Sequence, residues 1–292
     1  MPYLIPIKYH KKEYPLFVKP QIEEIAAHFD KKDVTPTMHY SLHTEYSYGK
    51  RDLENELINE YPTLKHSQKK NIPELWKNEK WAKEFFQFIA SLINDHIDPE
   101  LIEIHPPFSE YCSSIKDFLS IYSKFEQIFH RSYPKSHIVI ENRYGSRYPQ
   151  KGFLISNSEN LITLSQEINR KNLKLKIALD IPQLLSSYGL TPETITRKSI
   201  TRALDPIKRI SKNILGIHLW GKKRSAKRLL SHIGDLNSFC NNNNTLKQYL
   251  LGRIANLFDD DIPRYFVPEV NSKNEDLVSI VNDLRSIGFH FV

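Results

Sequence analysis

Cysteine is scarce in this sequence, which has only Cys112 and Cys240 among 292 residues. Two cysteines cannot form a disulfide framework, and their wide separation excludes a zinc knuckle. No apolar stretch approaches the roughly 18 residues of a membrane-spanning helix, and the first residues lack the charged-then-apolar pattern of a secretory signal. No GxGxxG or Walker loop for nucleotide phosphates is present either. We therefore expect a cytoplasmic protein without a membrane partner.

The composition is that of a soluble globular protein, with 40% hydrophobic and 26% charged residues. No shift in composition marks a boundary, so we expect one domain over residues 1–292. The net charge of +7 favours polyanionic partners such as nucleic acid, through phosphate contacts and counterion release. A lysine-rich surface that serves only solubility is the competing interpretation, and the spread of basic residues along the chain favours it. The sequence leaves the oligomeric state open.

Short apolar runs alternate with helical patterns through most of the chain. Strands are predicted at 101–105, 137–141, 173–180, 213–218 and 264–269, and the helices that follow them near 113–131, 157–170, 191–212, 244–258 and 274–286. This alternation predicts parallel strands joined by right-handed crossovers. Earlier in the chain the patterns predict strands at 4–7, 16–19 and 34–42, and helices at 21–29 and 72–97.

Each of the five later strands closes on a residue that can bind a metal: His105, Glu141, Asp180, His218 or Glu269. In an open doubly wound sheet, ligands gather mainly at one crevice. In a (β/α)8 barrel, every strand presents its carboxyl end to one rim. Five separated strands that contribute to one cluster therefore predict an α/β fold of the (β/α)8 TIM-barrel type. Because few residues precede His39, the barrel is expected to be abbreviated or irregular at the N-terminus.

The five residues, with His39 as a sixth, form a mixed nitrogen and oxygen ligand set. Such sets bind zinc, manganese or cobalt rather than calcium. Three carboxylates would repel each other without a cation, and six ligands exceed the needs of one tetrahedral zinc. We therefore predict one or two divalent ions, with zinc or manganese favoured. Taken alone, His105 is more typical of a turn residue and Asp180 of a helix cap, so the prediction depends on their equivalent positions.

In order and spacing, these strand ends resemble motifs of the xylose-isomerase-like TIM-barrel superfamily, which includes endonuclease IV (the family 2 AP endonucleases) and many sugar isomerases and epimerases. The resemblance covers roughly residues 34–290. The matching segments are His105-Pro106 (the HP step), Ile140-Glu141-Asn142 with Gly145 (the IEN turn), Leu179-Asp180 (the LD strand end), Gly216-Ile217-His218-Leu219 (the G-x-HL strand) and Val267-Pro268-Glu269 (the last acidic strand end).

The resemblance implies ligand roles for particular residues. In both branches, one metal would be held by Glu141, Asp180, His218 and Glu269. His39 and His105 would add a second metal in the endonuclease branch.

Three departures from the endonuclease IV pattern limit the number of ions. Gln183 stands where the family has a histidine, and Trp220-Gly221 replaces the ND of its HLND motif. The later D-x-H pair has no clear match, with His232 the nearest candidate. These losses remove most of a third metal site, so the resemblance implies two ions at most.

The main functional prediction is phosphodiester hydrolysis, on DNA or another phosphate ester, by metal-activated water. Glu141 and Glu269 are the predicted catalytic residues. Basic and aromatic residues that follow ligand-bearing strand ends would contact a nucleic-acid backbone. The basic residues are Arg143, Arg147, Lys222, Lys223, Arg224, Lys227 and Arg228, and the aromatic ones are Tyr144, Tyr148 and Trp220. A solvated basic helix start over 222–228 is the competing interpretation.

The alternative is a sugar or sugar-phosphate isomerase or epimerase with Glu141 and Glu269 as its acid and base pair. One metal suffices there, and the basic loop could bind a substrate phosphate. A barrel that binds a partner without catalysis is the third class. In either enzyme the predicted substrate contacts are Arg143, Gln183, Lys222, Lys223, Arg224 and His232.

Overall fold

The computed structural model describes residues 2–46, 59–64, 74–93, 97–145, 152–226 and 228–292. The strands are β1 (Tyr3–Lys8), β2 (Ile22–Ala27), β3 (His39–Thr44), β4 (Leu101–Ile104), β5 (His137–Glu141), β6 (Lys176–Asp180), β7 (Ile214–Leu219), β8 (Lys222–Ser225), β9 (Arg228–Ser231), β10 (Arg264–Pro268) and β11 (His290–Phe291). Eight of them, β1 to β7 and β10, pair in parallel in chain order, and β1 pairs with β10 to close the sheet. The (β/α)8 barrel prediction is confirmed.

Helices between the strands cover the outside of the barrel. They are α1 (Glu79–Ile93), α2 (Ile115–Ser132), α3 (Ser158–Lys171), α4 (Ile181–Ser187), α5 (Arg197–Leu204), a 3₁₀ helix (Asp205–Asn213), α6 (Leu236–Phe239), α7 (Asn244–Leu257) and α8 (Asn274–Ser286). Their apolar faces pack on the outward-facing strand residues in one large core. No helix in the described ranges has the length and apolar character needed to cross a membrane.

The side chains inside the barrel are apolar in its middle and charged in the next layer towards the carboxyl ends of the strands. Its lower part is a separate cluster that includes Ile22, Leu101, Val139, Ala178 and Val267. Residues two apart on a strand share a face. Two positions further along the same strands lie Glu24, Glu103, Glu141, Asp180 and Glu269. The carboxyl end of the barrel is therefore lined with acidic side chains, and the next layer of the interior below them is apolar.

The N-terminal part of the chain differs from the prediction in its details. The predicted helix over 21–29 is wrong, because Ile22–Ala27 is strand β2, paired with β1 and with β3. Its Ile-Glu-Glu-Ile-Ala-Ala sequence has helical spacing and good helix formers, and tertiary pairing overrides that propensity. The predicted strand at 16–19 is also wrong and is a turn. The connections at 9–21 and 28–38 hold no helix, so the barrel is irregular here although its strands are complete.

The basic segment after β7 is a hairpin of β8 and β9 rather than a helix start. Gly221 leads into it and packs against the backbone of Gly234, which a β-carbon at Gly221 would overlap. Gly221 therefore fixes the hairpin close to the barrel mouth.

Gly221→Ala should lower the free energy of unfolding by about 1–3 kcal/mol, because the methyl group would force apart two backbone segments. Urea denaturation measures the change. Gly252→Ala is the matched control, since Gly252 lies in α7 with open space around it and alanine there should stabilise by up to about 1 kcal/mol. Equal effects of the two substitutions would show that the hairpin is not packed as described.

Candidate metal centre

Four side chains from four consecutive strand ends meet at the mouth of the barrel. Glu141 ends β5, Asp180 ends β6, His218 lies in β7 and Glu269 directly follows β10. All four are buried, and one ligand atom from each lies within 4.8 Å of the others. The structure thus brings together four of the six residues that the sequence suggested as ligands.

Of the two carboxylate oxygens of Glu141, one has hydrogen-bond partners among the described residues and the other has none. Its Oε2 lies 3.0 Å from Nη1 of Arg143, which donates to it, and 2.9 Å from Nε2 of His105. Its Oε1 has no hydrogen-bond partner among the described residues. Burial opposes ionisation, but Arg143 and His105 outweigh it and hold the pKa of Glu141 well below its usual range. Glu141 therefore presents a charged, unpaired oxygen to the cluster.

Asp180 is the N-cap of helix α4 and is also one of the four clustered side chains. Its Oδ1 accepts from the Gln183 backbone N–H at 2.7 Å, and its Oδ2 accepts from the Trp220 indole N–H at 2.9 Å. The Asn142 side chain bonds both the N–H and the carbonyl of Asp180, each at 3.0 Å. Burial and the charge of Glu141 raise the pKa of Asp180 well above its usual range. The helix-cap interpretation and the ligand interpretation are thus compatible.

His218 lies between carboxylates. Its Nε2 lies 3.0 Å from Oε2 of Glu103, and its Nδ1 lies 3.2 Å from Oε1 of Glu269. Burial disfavours the imidazolium, but these two acids outweigh it and raise the pKa of His218 well above its ordinary value. In the metal-free protein His218 is therefore protonated and neutralises part of the acidic cluster.

A second group of possible ligands adjoins the first and consists of His43, Glu103 and His105. His105 Nδ1 lies 3.1 Å from the backbone carbonyl of Glu45, which can only accept, so this nitrogen carries a hydrogen. His43 Nδ1 lies 3.4 Å from Glu103 and 3.7 Å from Glu24. Burial opposes protonation of His43, yet these acids raise its pKa to about 10.

The placement of His39 corrects the sequence interpretation. His39 opens β3 at the amino end of the barrel, is 57% exposed and contacts Glu100 at 3.2 Å. The strand begins at residue 39 rather than ending near it, so His43, which is four residues or about 13 Å further along the strand and on the same face, reaches the mouth instead. His43 was missed because the predicted strand over 34–42 ends before it, and Glu103 because only His105 was taken from the run at 101–105. The period-two alternation back from His105 would have identified Glu103.

The donor atoms of the cluster fit a divalent cation. Buried atoms without a hydrogen-bond partner in the described part of the chain include Oε1 of Glu141, Nδ1 of His218 and Oε2 of Glu269. Unsatisfied buried polar atoms are costly and rare in native proteins. Imidazole and carboxylate donors of this kind suit zinc, manganese or cobalt. We therefore assign the candidate metal centre to Glu141, Asp180, His218 and Glu269.

A cavity of about 490 Å³ opens above the centre. Among the predicted substrate contacts, four line it: Arg143, Gln183, Lys222 and His232. Lys223 and Arg224 instead line a neighbouring cavity. Arg224 is already paired with Glu193, at 2.5 and 3.2 Å. Of the residues predicted only as nucleic-acid contacts, Tyr144 and Trp220 line the cavity above the centre and Arg228 is exposed in β9. Arg147, Tyr148 and Lys227 lie outside the described residues.

Aromatic side chains form much of the cavity wall. Trp220 stacks on His232 with ring centroids 4.1 Å apart, and Arg143 lies 4.8 Å from the ring centroid of Tyr46. His232 Nδ1 lies 3.1 Å from the Glu269 carbonyl and donates to it. Burial lowers the pKa of His232, so its Nε2 carries a lone pair at neutral pH. The role of Trp220 in holding Asp180 was not visible in the sequence, because it depends on the β8–β9 hairpin.

Comparison with known proteins gives structural matches only. No protein-family model and no curated protein sequence matches the chain. A xylose isomerase domain protein from Planctomyces limnophilus has 12% identity and a TM-score of 0.44, over 95% of this chain and 98% of that one. One from Alicyclobacillus acidocaldarius has 8% identity and a TM-score of 0.42, over 98% of both chains. The galactosidase domain of the alpha-galactosidase-sucrose kinase AgaSK has 10% identity and a TM-score of 0.39, over 86% of this chain and 30% of that one.

These likenesses concern the fold, which the strand pairing shows independently. All three TM-scores lie below 0.5, so none of these proteins informs the function of this chain.

The affinity of the metal-free protein for a divalent ion should rise with pH, by up to about tenfold per unit between pH 6 and 8. His218 is protonated in the metal-free protein, and only neutral imidazole binds a metal, so binding releases a proton and a higher pH favours it. Manganese titrations at pH 6, 7 and 8 measure the slope. His39→Gln is the control and should leave the slope unchanged, whereas a flat profile in the unmodified protein would contradict the assignment of His218.

Proposed function

We propose that this protein is a divalent-metal-dependent isomerase or epimerase of a small sugar or sugar phosphate. The observation that carries the proposal is the convergence of Glu141, Asp180, His218 and Glu269 below a small polar and aromatic cavity. A metal held by these four residues would supply Lewis-acid polarisation of a carbonyl oxygen. The remaining chemistry, which is proton transfer at the neighbouring carbon, belongs to side chains of this chain.

Glu269 is positioned to take the proton. It lines the cavity, and its Oε2 has no hydrogen-bond partner among the described residues. Burial opposes its ionisation, but His218 outweighs burial and lowers the pKa of Glu269 to about 2, so it is a carboxylate at neutral pH. Glu141 is likewise ionised and is held rigidly by Arg143 and His105. Two fixed carboxylates around one substrate carbon can remove a proton on one side and return it from the other.

The cavity supports a small polyhydroxylated substrate rather than a polymer. Its volume lies in the range of small-molecule sites, which is about 300–1,000 Å³. Its wall includes neutral hydrogen-bonding side chains and aromatic rings: Tyr9, Tyr46, Gln183, Ser186, Trp220, Ser231 and Asn271. The exposed cations Lys223 and Arg224, which a phosphodiester backbone would need, face a different cavity.

Phosphodiester hydrolysis is the second candidate, and the His43, Glu103 and His105 group favours it. A second ion there would have to share Glu141 with the first. The Glu141 oxygen nearest to that group, Oε2, already contacts both His105 and Arg143. A bridging role would displace one of these contacts, so we rank hydrolysis second.

Deuterium exchange tests the proposal. Protein loaded with manganese, cobalt or zinc is incubated in D₂O with a panel of ketoses, aldoses and their phosphates, and NMR follows deuterium at the carbon next to the carbonyl. We expect exchange and product formation for at least one substrate, and neither with Glu269→Gln. Absence of exchange with every sugar, together with cleavage of abasic-site DNA or a simple phosphodiester by the metal-loaded protein, would reverse the ranking.

A further inference from the structure

One wall of the cavity contains a buried lysine. Lys222 opens strand β8 and is only 5% exposed, although it is a charged residue. Its Nζ lies 5.5 Å from the Trp220 ring centroid and 5.7 Å from that of Phe239, and it donates a hydrogen bond to Ser186 Oγ. Lysines are almost never buried to this extent without a partner, so the position needs an explanation.

No carboxylate forms an ion pair with Lys222 in the described ranges. The other cations of the segment differ: Lys223 is exposed, and Arg224 is paired with Glu193. Asp180 is the acid whose charge acts on Lys222, but both of its oxygens accept hydrogen bonds, from Gln183 and from Trp220. A buried ammonium bonded only to a hydroxyl is a costly arrangement, which an incoming anion would relieve.

The neighbours of Lys222 in the cavity are hydrogen-bond donors. Gln183 accepts the Tyr144 backbone N–H through its Oε1 at 3.2 Å, which leaves its amide NH₂ group without an acceptor in the described residues. Ser231 lines the same cavity and supplies a hydroxyl group, whereas the Ser186 hydroxyl already donates to the Pro182 carbonyl and accepts from Lys222. A compact cation with several neutral donors around it is typical of a phosphate site, where lysine acts as a point charge.

This wall adjoins the candidate metal centre. Gln183 and Trp220 both bond Asp180, and Glu269 lines the same cavity as Lys222. A substrate whose hydroxycarbonyl end lies at Glu269 would therefore place its other end near Lys222.

We infer that Lys222, with Gln183 and Ser231, binds the phosphate group of a phosphorylated sugar substrate, and that Ser186 positions the Lys222 ammonium. The inference rests on the proposed function and narrows its substrate class from sugars in general to sugar monophosphates. Sugars that carry a carboxylate, and free inorganic phosphate, share part of the chemistry, and the test separates them.

The first measurement is binding of inorganic phosphate by isothermal titration calorimetry, because it does not depend on turnover. Lys222→Met keeps the length and the packing against Trp220 and Phe239 while it removes the charge. We expect phosphate binding by the unmodified protein, loss of about 100-fold in affinity with Lys222→Met, and no change with Lys223→Met, the exposed neighbour. Equal phosphate affinity of all three proteins, or none in the unmodified protein, would overturn the inference. If Lys222→Met fails to fold, Gln183→Glu places a repelling carboxylate in the wall and should abolish phosphate binding.

The second measurement compares kcat/KM for a sugar monophosphate, the same sugar without phosphate, and the corresponding sugar acid. We expect the phosphorylated sugar to be preferred, and Lys222→Met to lower its kcat/KM by about 100-fold while the unphosphorylated sugar changes less than about twofold. Preference for the free sugar or the sugar acid would refute the phosphate inference and leave the isomerase proposal standing. Phosphate binding that depends on Lys222, with no turnover of any sugar, would support the anion site and refute the isomerase.

Discussion

Glu141→Gln should reduce turnover by at least about 1,000-fold, whichever substrate is used. The substitution removes the negative charge and puts an amide NH₂ group in place of one carboxylate oxygen, at a position where Oε1 lies 4.0 Å from His218 Nδ1 and has no hydrogen-bond partner among the described residues. It also leaves the buried guanidinium of Arg143 without its carboxylate partner at 3.0 Å. Loss of one partner from a buried ion pair typically costs about 3–5 kcal/mol, so stability should fall together with activity.

Steady-state rates with saturating manganese, and urea denaturation of the metal-free protein, measure the two effects of Glu141→Gln. Glu193→Gln is the matched control, because Glu193 also pairs with an arginine but is an exposed residue far from the centre. The control should keep full activity and change stability by less than about 1 kcal/mol. Retention of more than a tenth of the rate in Glu141→Gln would show that the residue is not at the reacting centre.

Removal of divalent ions by a chelator should abolish turnover, and addition of manganese, cobalt or zinc should restore it. The same addition should raise the midpoint of thermal unfolding by several degrees, since a ligand at a hundredfold excess over its Kd stabilises by about 2.7 kcal/mol. The physical reason is that the cation would satisfy buried oxygens and nitrogens that lack a hydrogen-bond partner in the part of the chain that the structure describes.

His218→Ala supplies the control for ion-dependent stability, because it removes a ligand from the centre and adds no charge. Its unfolding midpoint should be nearly independent of the ion. Full turnover by chelator-treated protein, confirmed free of metal by mass spectrometry, would exclude the metal-dependent account.

The parts of the fold that the sequence predicted well are those where periodicity and burial agree. Strand β5 was expected at 137–141 and helix α8 at 274–286, and both lie there. Strand β2 was mistaken for a helix because its sequence lacks the apolar alternation of an ordinary strand. Glu23 and Glu24 lie side by side between two isoleucines, which gives the apolar residues helical spacing.

The candidate site was predictable to the extent that strand ends define it. Glu141, Asp180, His218 and Glu269 close their strands, so topology alone brings them together. His43 and Glu103 required the alternation of side chains along β3 and β4 and the exact start of β3. The contact of Trp220 with Asp180, and the burial of Lys222, required the hairpin after β7, whose Lys-Lys-Arg-Ser sequence is not typical of a strand.

The position of a bound ion shows directly whether Glu141, Asp180, His218 and Glu269 form a metal centre. Crystals of the protein grown with manganese or zinc give anomalous scattering that locates each ion independently of any activity. We expect one strong peak per chain, bounded by Glu141, Asp180, His218 and Glu269, and no peak there in His218→Ala crystals. A protein that binds the ion in solution yet shows no peak among these four residues, or shows one only between His43 and Glu103, would contradict it.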